Sequence, residues 1–271
     1  MTKIGRFGLN ALVVLIALFL ILPTLIVIPM SFTSGDTLVY PPPGFSTRWY
    51  HELLDDPTWI RAFGNSLKVA VLTAICATVL GTAAALGIHR GHFPGKALVS
   101  SLVGAPLVMP YVVIGIALYA IFLRWGLTAS LAGFVLAHTV LAIPYVIMTL
   151  TPLLRGLDRN LEFAAASLGA PPFTAFRKIV LPALVPAMVT GAFFSFIISF
   201  DEVVVAIFLG GAGFETLPVR MWSGVRVSID PSIAAVATVL VVTSTLILFA
   251  GLISRTYLSR ASNRRSQKVT A

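Results

Sequence analysis

The sequence is short of charge and of cysteine, and each shortage excludes a class of protein. Charged residues make up 11% of the 271 residues, whereas soluble domains average about 25%. A soluble enzyme is therefore excluded. The single cysteine, Cys76, lies within an apolar run, so the sequence contains neither a disulfide framework nor a cysteine cluster for a metal.

Long hydrophobic runs are abundant instead. Hydrophobic residues make up 58% of the chain, and its mean hydropathy is +0.96. A helix needs about 20 apolar residues to cross a bilayer. We predict an all-α fold and one transmembrane domain over residues 1–271. Its six spans are expected at about 8–32, 66–88, 97–123, 127–152, 183–208 and 232–255.

The net charge of +9 follows membrane topology and does not form a basic patch for nucleic acid. The basic residues fall in short clusters between the apolar runs, and 13 of the 19 Lys and Arg residues lie on one side. Positive charge accumulates on the cytoplasmic side of a membrane. We therefore predict a multi-pass membrane protein with both termini in the cytoplasm.

A cytoplasmic loop at about 158–181 joins the fourth and fifth spans and contains LEFAAASLGAPPFTAFRKIVLP. Its apolar spacing predicts a short helix. Asn160 is expected to cap the start of this helix, and Gly169 to end it in the left-handed conformation. Pro172 then suits the first turn of a second helix. From the residues alone, a surface connector and a docking site for another protein are equally compatible with this loop.

The loop resembles the coupling loop of the membrane subunits of ABC importers. Their pattern is E-A-A, three residues, G, nine residues and I-x-L-P, in the type I (MetI-like) permease fold. The matching residues are Ala164, Ala165, Gly169, Ile179, Leu181 and Pro182, with Phe163 at the position of the glutamate and Glu162 one position before the pattern. The resemblance implies a coupling helix that docks on an ATPase subunit, and a location in the bacterial inner membrane. Phe163 departs from the pattern, because the family has glutamate there.

The chain itself has no ATP-binding motif. The nearest match, Gly91-His-Phe-Pro-Gly95-Lys96, has three residues between its glycines where a phosphate-binding loop needs four, and no Ser or Thr follows its lysine. His138 is a lone histidine, expected to pack or to hydrogen-bond. We therefore predict a transport subunit without a catalytic site, metal site or cofactor of its own, with ATP and magnesium bound by partner subunits. The implied partners are an ATPase dimer, a second homologous permease subunit and an extracytoplasmic solute-binding protein.

Asp201 and Glu202 are adjacent acids that interrupt an apolar run, and such residues are candidates for a transport pathway. Neighbouring residues on a helix point about 100° apart, so at most one of the two is expected to face the pathway directly. The alternative is that the span ends at Phe200 and that water solvates both acids.

Much of the chain resembles the permeases of the spermidine/putrescine type. Asp201 and Glu202 resemble an acidic pair of that group, and Trp49 resembles one of its aromatic residues, which implies a small cationic solute. Tyr111 differs, because the polyamine-type proteins carry an acid at that position. An ABC importer for an amino acid, an opine or an aminophosphonate therefore stays open, as does an ion-driven secondary transporter, although no repeat of the six spans is evident.

Overall fold

The computed structural model describes residues 3–211, 213–227 and 230–246, and these residues form helices joined by turns. The predicted all-α class is confirmed. The described helices are α1 (Lys3–Met30), α2 (Arg48–Asp55), α3 (Pro57–Arg90), α4 (Lys96–Gly104), α5 (Tyr111–Trp125), α6 (Leu131–Gly156), α7 (Asn160–Ser167), α8 (Pro172–Ala175), α9 (Leu181–Asp201), α10 (Val204–Leu209), α11 (Leu217–Val227) and α12 (Pro231–Leu246).

Among the described residues, four segments are long and apolar enough to cross a membrane, and they are Gly8–Ser31, Pro57–Arg90, Leu131–Gly156 and Pro172–Asp201. Their outer surfaces carry large exposed apolar side chains, among them Phe19 and Leu20 on α1 and Val189 on α9. Continuous apolar surface of this extent is suited to lipid, where a helix satisfies its own backbone hydrogen bonds.

The segment predicted as the third span is divided in two. The helical stretch Lys96–Leu107 and α5 meet at an angle of 106°. The break lies at Pro110, which has an extended ψ of 129° and precedes the first residue of α5. Pro110 cannot donate a backbone hydrogen bond, and the residue before it is biased away from helical geometry. The last span is predicted at about 232–255. Its first part forms α12, a shorter apolar helix, and residues 247–255 lie outside the described residues.

The chain divides into two compact units, Met1–Pro57 with Ser223–Ala271, and Thr58–Trp222. In the first unit, α2 holds the turn that follows α1. The hydroxyl groups of Ser31 and Tyr50 are 2.6 Å apart. The indole N–H of Trp49 donates to the carbonyl oxygen of Thr33 at 3.0 Å. These hydrogen bonds satisfy polar groups that would otherwise be buried in the turn without a partner.

The second unit is built around α6, which packs along α9. One apolar cluster surrounds the first half of α6 and another surrounds its second half. The buried members of the first are Val69, Ile114, Phe122, Phe134, Ala137, Leu141, Val205, Ala206 and Leu209. Those of the second are Ala77, Ala85, Ala142, Val146, Leu150, Leu154, Val180, Leu184 and Ala187.

Glycine allows the close approach of both neighbouring helices to Val146 on α6. A Cβ atom at Gly81 on α3 would lie 2.7 Å from the Cβ of Val146, and one at Gly191 on α9 would lie 3.2 Å from its Cα. Small residues at such contacts are typical of helix packing in membranes, where van der Waals contact drives association.

A single methyl group at Gly81 tests this packing. Gly81→Ala should lower the free energy of unfolding by about 1–3 kcal/mol, because the new Cβ overlaps Val146. Gly87→Ala is the matched control on the same helix, since nothing lies within 4 Å of a Cβ there. We expect a lower thermal midpoint in detergent for Gly81→Ala alone. Equal midpoints for the two variants would contradict the packing described.

Candidate functional site

The loop between α6 and α9 is closed by a left-handed glycine, as predicted. Gly169 has a φ of +82°. The backbone N–H of Ala170 donates to the carbonyl of Ala165 at 3.0 Å, and that of Gly169 donates to Ala166 at 2.9 Å. This pair of bonds is a Schellman motif, which satisfies carbonyl groups at the end of a helix. Pro172 begins α8, which also agrees with the prediction.

The start of α7 differs from the prediction. Asn160 is the first residue of α7 and does not cap it. Its backbone N–H donates instead to the Asp158 Oδ1 atom at 2.9 Å. Both residue types favour such positions, and the sequence does not indicate which of two closely spaced candidates is used.

The outer surface of the loop is apolar. Phe163 is 63% exposed and Leu168 is 89% exposed. With Leu161 and Phe173, which are also exposed, they form what we call the apolar patch. Ala164 between them is exposed, Ala165 is half-buried, and no residue of α7 is fully buried. Large aromatic and aliphatic side chains in this position mark an interaction surface.

The other end of the loop enters the second apolar cluster. Val180 and Leu184 are fully buried, whereas Ile179 and Leu181 are half-buried and Pro182 is exposed. Residues Phe176–Val180 form a π-helical turn that continues into α9. Pro182 follows this turn within a continuous helix, and local π-helical geometry re-satisfies the backbone groups that a proline frees. The loop is thus anchored in the core at one end and exposed at α7.

Glu162 does not point away from the protein. Its carboxylate accepts two hydrogen bonds from the guanidinium of Arg90, the last residue of α3, with N–O distances of 2.6 and 2.9 Å. Sequence reasoning missed Arg90. The available signal was a pair of opposite charges at helix ends on the same predicted side of the membrane.

The two acids after α9 have different surroundings. Asp201, the last residue of α9, is exposed. Glu202 is 5% exposed. Its Oε1 atom accepts from the backbone N–H of Val205, and its Oε2 atom from that of Ala206, each at 2.9 Å. These N–H groups lie in the first turn of α10, where the helix itself offers them no acceptor. Glu202 therefore caps α10.

A buried histidine lies beside this cap. The Nδ1 atom of His138 is 2.8 Å from the hydroxyl oxygen of Ser199, and its Nε2 atom is 3.8 Å from the Glu202 carboxylate. The hydrogen-bonding role predicted for His138 is confirmed. Both side chains are almost fully buried, so Glu202 belongs to a polar group inside the fold.

The two aromatic candidates are less accessible than Asp201. Tyr111 begins α5, is half-buried and packs against the first apolar cluster. Trp49, in the first unit, is 5% exposed, and the guanidinium of Arg48 lies 4.3 Å from the centre of its ring. Of the four candidates for the transport pathway, Asp201 is the exposed one in this conformation.

Residues 77–263 match the family described as the binding-protein-dependent transport system inner membrane component. The chain belongs to this family. It is 36% identical to the spermidine/putrescine transport system permease protein PotC of Haemophilus influenzae, over 93% of this chain and 98% of that protein. It is 39% identical to the putrescine transport system permease protein PotI of Escherichia coli K12, over 82% and 81% of the two chains.

Solved structures show the same fold. A bacterial ABC transporter involved in the import of the acidic polysaccharide alginate covers 95% of this chain with a TM-score of 0.67 at 15% identity. At that identity the likeness concerns the fold alone.

Membership of the family establishes the general function. The chain is a multi-pass permease subunit of an ABC importer in the inner membrane, and it is not an enzyme. Such importers combine permease subunits with ATPase subunits, where ATP is hydrolysed, and with a solute-binding protein. Permease subunits bind no cofactor themselves, which agrees with the prediction from the sequence.

The cap on α10 gives a test that separates the two acids. Glu202→Ala leaves two buried N–H groups without acceptors, so it should lower the free energy of unfolding by about 1–3 kcal/mol. Glu202→Gln keeps one acceptor oxygen and should lower the free energy of unfolding by less. Asp201→Ala, the exposed neighbour, serves as the control and should keep the wild-type thermal midpoint. A wild-type midpoint for Glu202→Ala would contradict the capping role.

Proposed function

We propose that this permease imports a polyamine of the spermidine or putrescine type, with energy from ATP hydrolysis in a partner subunit. The observation that carries the proposal is the 36% identity to a spermidine/putrescine permease over nearly the full length of both chains. A match of that extent includes the loops as well as the membrane helices.

The charge of Asp201 supports a cationic solute. Its carboxylate is exposed at the end of a membrane-spanning segment and offers acceptor oxygens to an ammonium group. Charged groups near apolar segments are costly and are retained chiefly for function. In our proposal Asp201 receives the amine, and Tyr111 and Trp49 border the pathway in other states of the transport cycle. Glu202 supports this region from within by capping α10.

The topology we propose has six spans near the positions predicted from the sequence, with the third broken at Pro110, and both termini in the cytoplasm. The distribution of 13 of the 19 Lys and Arg residues to one side supports this orientation. The loop between α6 and α9 then lies in the cytoplasm, where an ATPase subunit can reach it. Asp201, at the far end of α9, lies on the outer side.

The apolar patch of the loop is the proposed contact with the ATPase. Phe163 replaces the acid of the family pattern, so the contact made at this position is apolar. Arg177 and Lys178 are exposed beside the patch. We therefore expect a groove with an apolar floor and acidic residues at its rim. The residues proposed to act in coupling are Glu162, Phe163, Ala164, Ala165, Gly169, Ile179, Leu181 and Pro182.

The complete importer requires a second permease subunit, because one chain supplies only one such loop. We propose a homologous but different partner, together with two ATPase subunits and an extracytoplasmic binding protein that delivers the polyamine. In the cycle, ATP binding displaces the loop and the spans change from inward-facing to outward-facing.

Uptake by the reconstituted complex tests the substrate and the role of Asp201. Spermidine or putrescine should be transported, and a panel of amino acids should not compete. Asp201→Asn should raise the KM for the polyamine roughly tenfold or more, because a hydrogen bond to a charged group contributes about 1.5–3 kcal/mol.

Asp55→Asn, at an exposed acid of α2, is the control and should leave the KM unchanged. Competition by an amino acid with no polyamine uptake would overturn the polyamine assignment. An unchanged KM for Asp201→Asn would remove Asp201 from the pathway.

The left-handed turn at Gly169 gives a test of coupling. Gly169→Val places a β-branched residue at a φ of +82°, which disfavours the Schellman motif. An eight-residue helix is marginal without its end fixed. We expect ATP hydrolysis that the loaded binding protein no longer stimulates, and severalfold lower uptake. Gly156→Val, at a helical glycine with nothing within 4 Å of its added Cβ, is the control. Normal stimulation in Gly169→Val would contradict the coupling role.

A further inference from the structure

The ion pair between Arg90 and Glu162 connects two elements that the chain does not join directly. The loop that contains α7 is covalently continuous with α6 and α9, whereas α3 ends at Arg90, well before it. Apart from this pair, the hydrogen bond that an α7 side chain makes among the described residues stays within the helix, from Ser167 to the carbonyl of Phe163. Arg90 therefore gives α7 a side-chain link to a third membrane helix.

We propose that Arg90 is a positioning residue for coupling, which ties α3 to α7 through Glu162 so that a displaced loop moves α3 together with α6 and α9. The inference rests on the proposed function of the loop and adds to it a residue outside the family pattern.

The geometry of the pair suits this role. The Nη1 atom of Arg90 donates to the Oε2 atom of Glu162 at 2.9 Å, and its Nη2 atom donates to Oε1 at 2.6 Å. A bidentate pair fixes the relative orientation of its two groups as well as their distance. The side chains are 26% and 23% exposed, so water screens them less than an ordinary surface pair. Exposed ion pairs of poorer geometry contribute little.

The helix ends strengthen the pair. Arg90 lies in the last turn of α3 and Glu162 in the first turn of α7. A cation is favoured at the C-terminal end of a helix and an anion at the N-terminal end, so each charge is stabilised by its own helix as well as by its partner.

Glu162 and Phe163 have different roles in α7, because the carboxylate of Glu162 is already bound within the protein. Both of its carboxylate oxygens already bind Arg90, whereas the neighbouring Phe163 is 63% exposed. Phe163 is thus available to contact a partner protein, whereas Glu162 holds α7 against the end of α3. Since no residue of α7 is fully buried, packing alone holds it weakly.

The experiment compares single and exchanged charges in the complete importer in proteoliposomes. Polyamine accumulated per ATP hydrolysed and co-purification of the ATPase subunits are measured for Arg90→Gln, Glu162→Gln, Arg90→Lys and the double variant R90E/E162R. Each single neutral variant should reduce transport per ATP about fivefold or more, with the ATPase still bound. Lys cannot form the bidentate pair and should restore coupling only in part. The double variant should recover coupling in part, because it restores the ion pair but places each charge at the unfavourable end of its helix.

Arg155→Gln is the matched control, because Arg155 is exposed in the last turn of α6. Wild-type coupling in Arg90→Gln would overturn the proposal, as would equal uncoupling in Arg155→Gln. If a single variant fails to assemble, the double variant decides: recovered assembly and coupling support the pair, and their absence overturns it. Polyamine transport by the wild-type complex is measured first, which distinguishes a wrong substrate from a wrong role of the ion pair. If the wild type does not transport polyamine, the variants are compared with the solute that it does transport.

Discussion

The close packing of α6 between α3 and α9 is the constraint on which the rest of the second unit depends. Val146 meets a glycine on each side, so neither neighbour can shift without disturbing α6. Closely packed interfaces of this kind move as units and do not deform continuously. The loop with α7 joins the ends of α6 and α9. A force on the loop therefore acts on a packed group of helices, which is what transmission from an ATPase to a pathway across the membrane requires.

The far end of the same group contains the acids. Glu202 is held inside by two backbone N–H groups, lies beside His138 and caps the short helix α10. Phe208 of α10 packs against Gly115 of α5, where a Cβ would lie 2.5 Å from its ring. The two adjacent carboxylates thus differ: that of Glu202 stabilises the fold where the span breaks, whereas that of Asp201 is exposed.

Much of this organisation could be predicted from the sequence. Apolar runs predicted the membrane helices, because hydropathy and length alone determine whether a segment can span lipid. The left-handed Gly169 followed from a local rule. The burial of Glu202 and the partner of Glu162 could not be predicted in this way. Each depends on contacts between residues distant in sequence, and the Arg90 pair joins positions 72 residues apart. Periodicity and composition contain no information about such contacts.

The central claim is that the apolar patch of the loop lies against an ATPase subunit. The most direct measurement is photo-cross-linking in the purified, assembled importer with benzoylphenylalanine in place of Phe163, where one aromatic ring replaces another. As the control, the same label replaces Trp125, which is exposed at the C-terminal end of α5. We expect a cross-link from position 163 to the ATPase subunit and none from position 125. A cross-link from position 163 to the binding protein, or to lipid alone, would contradict it.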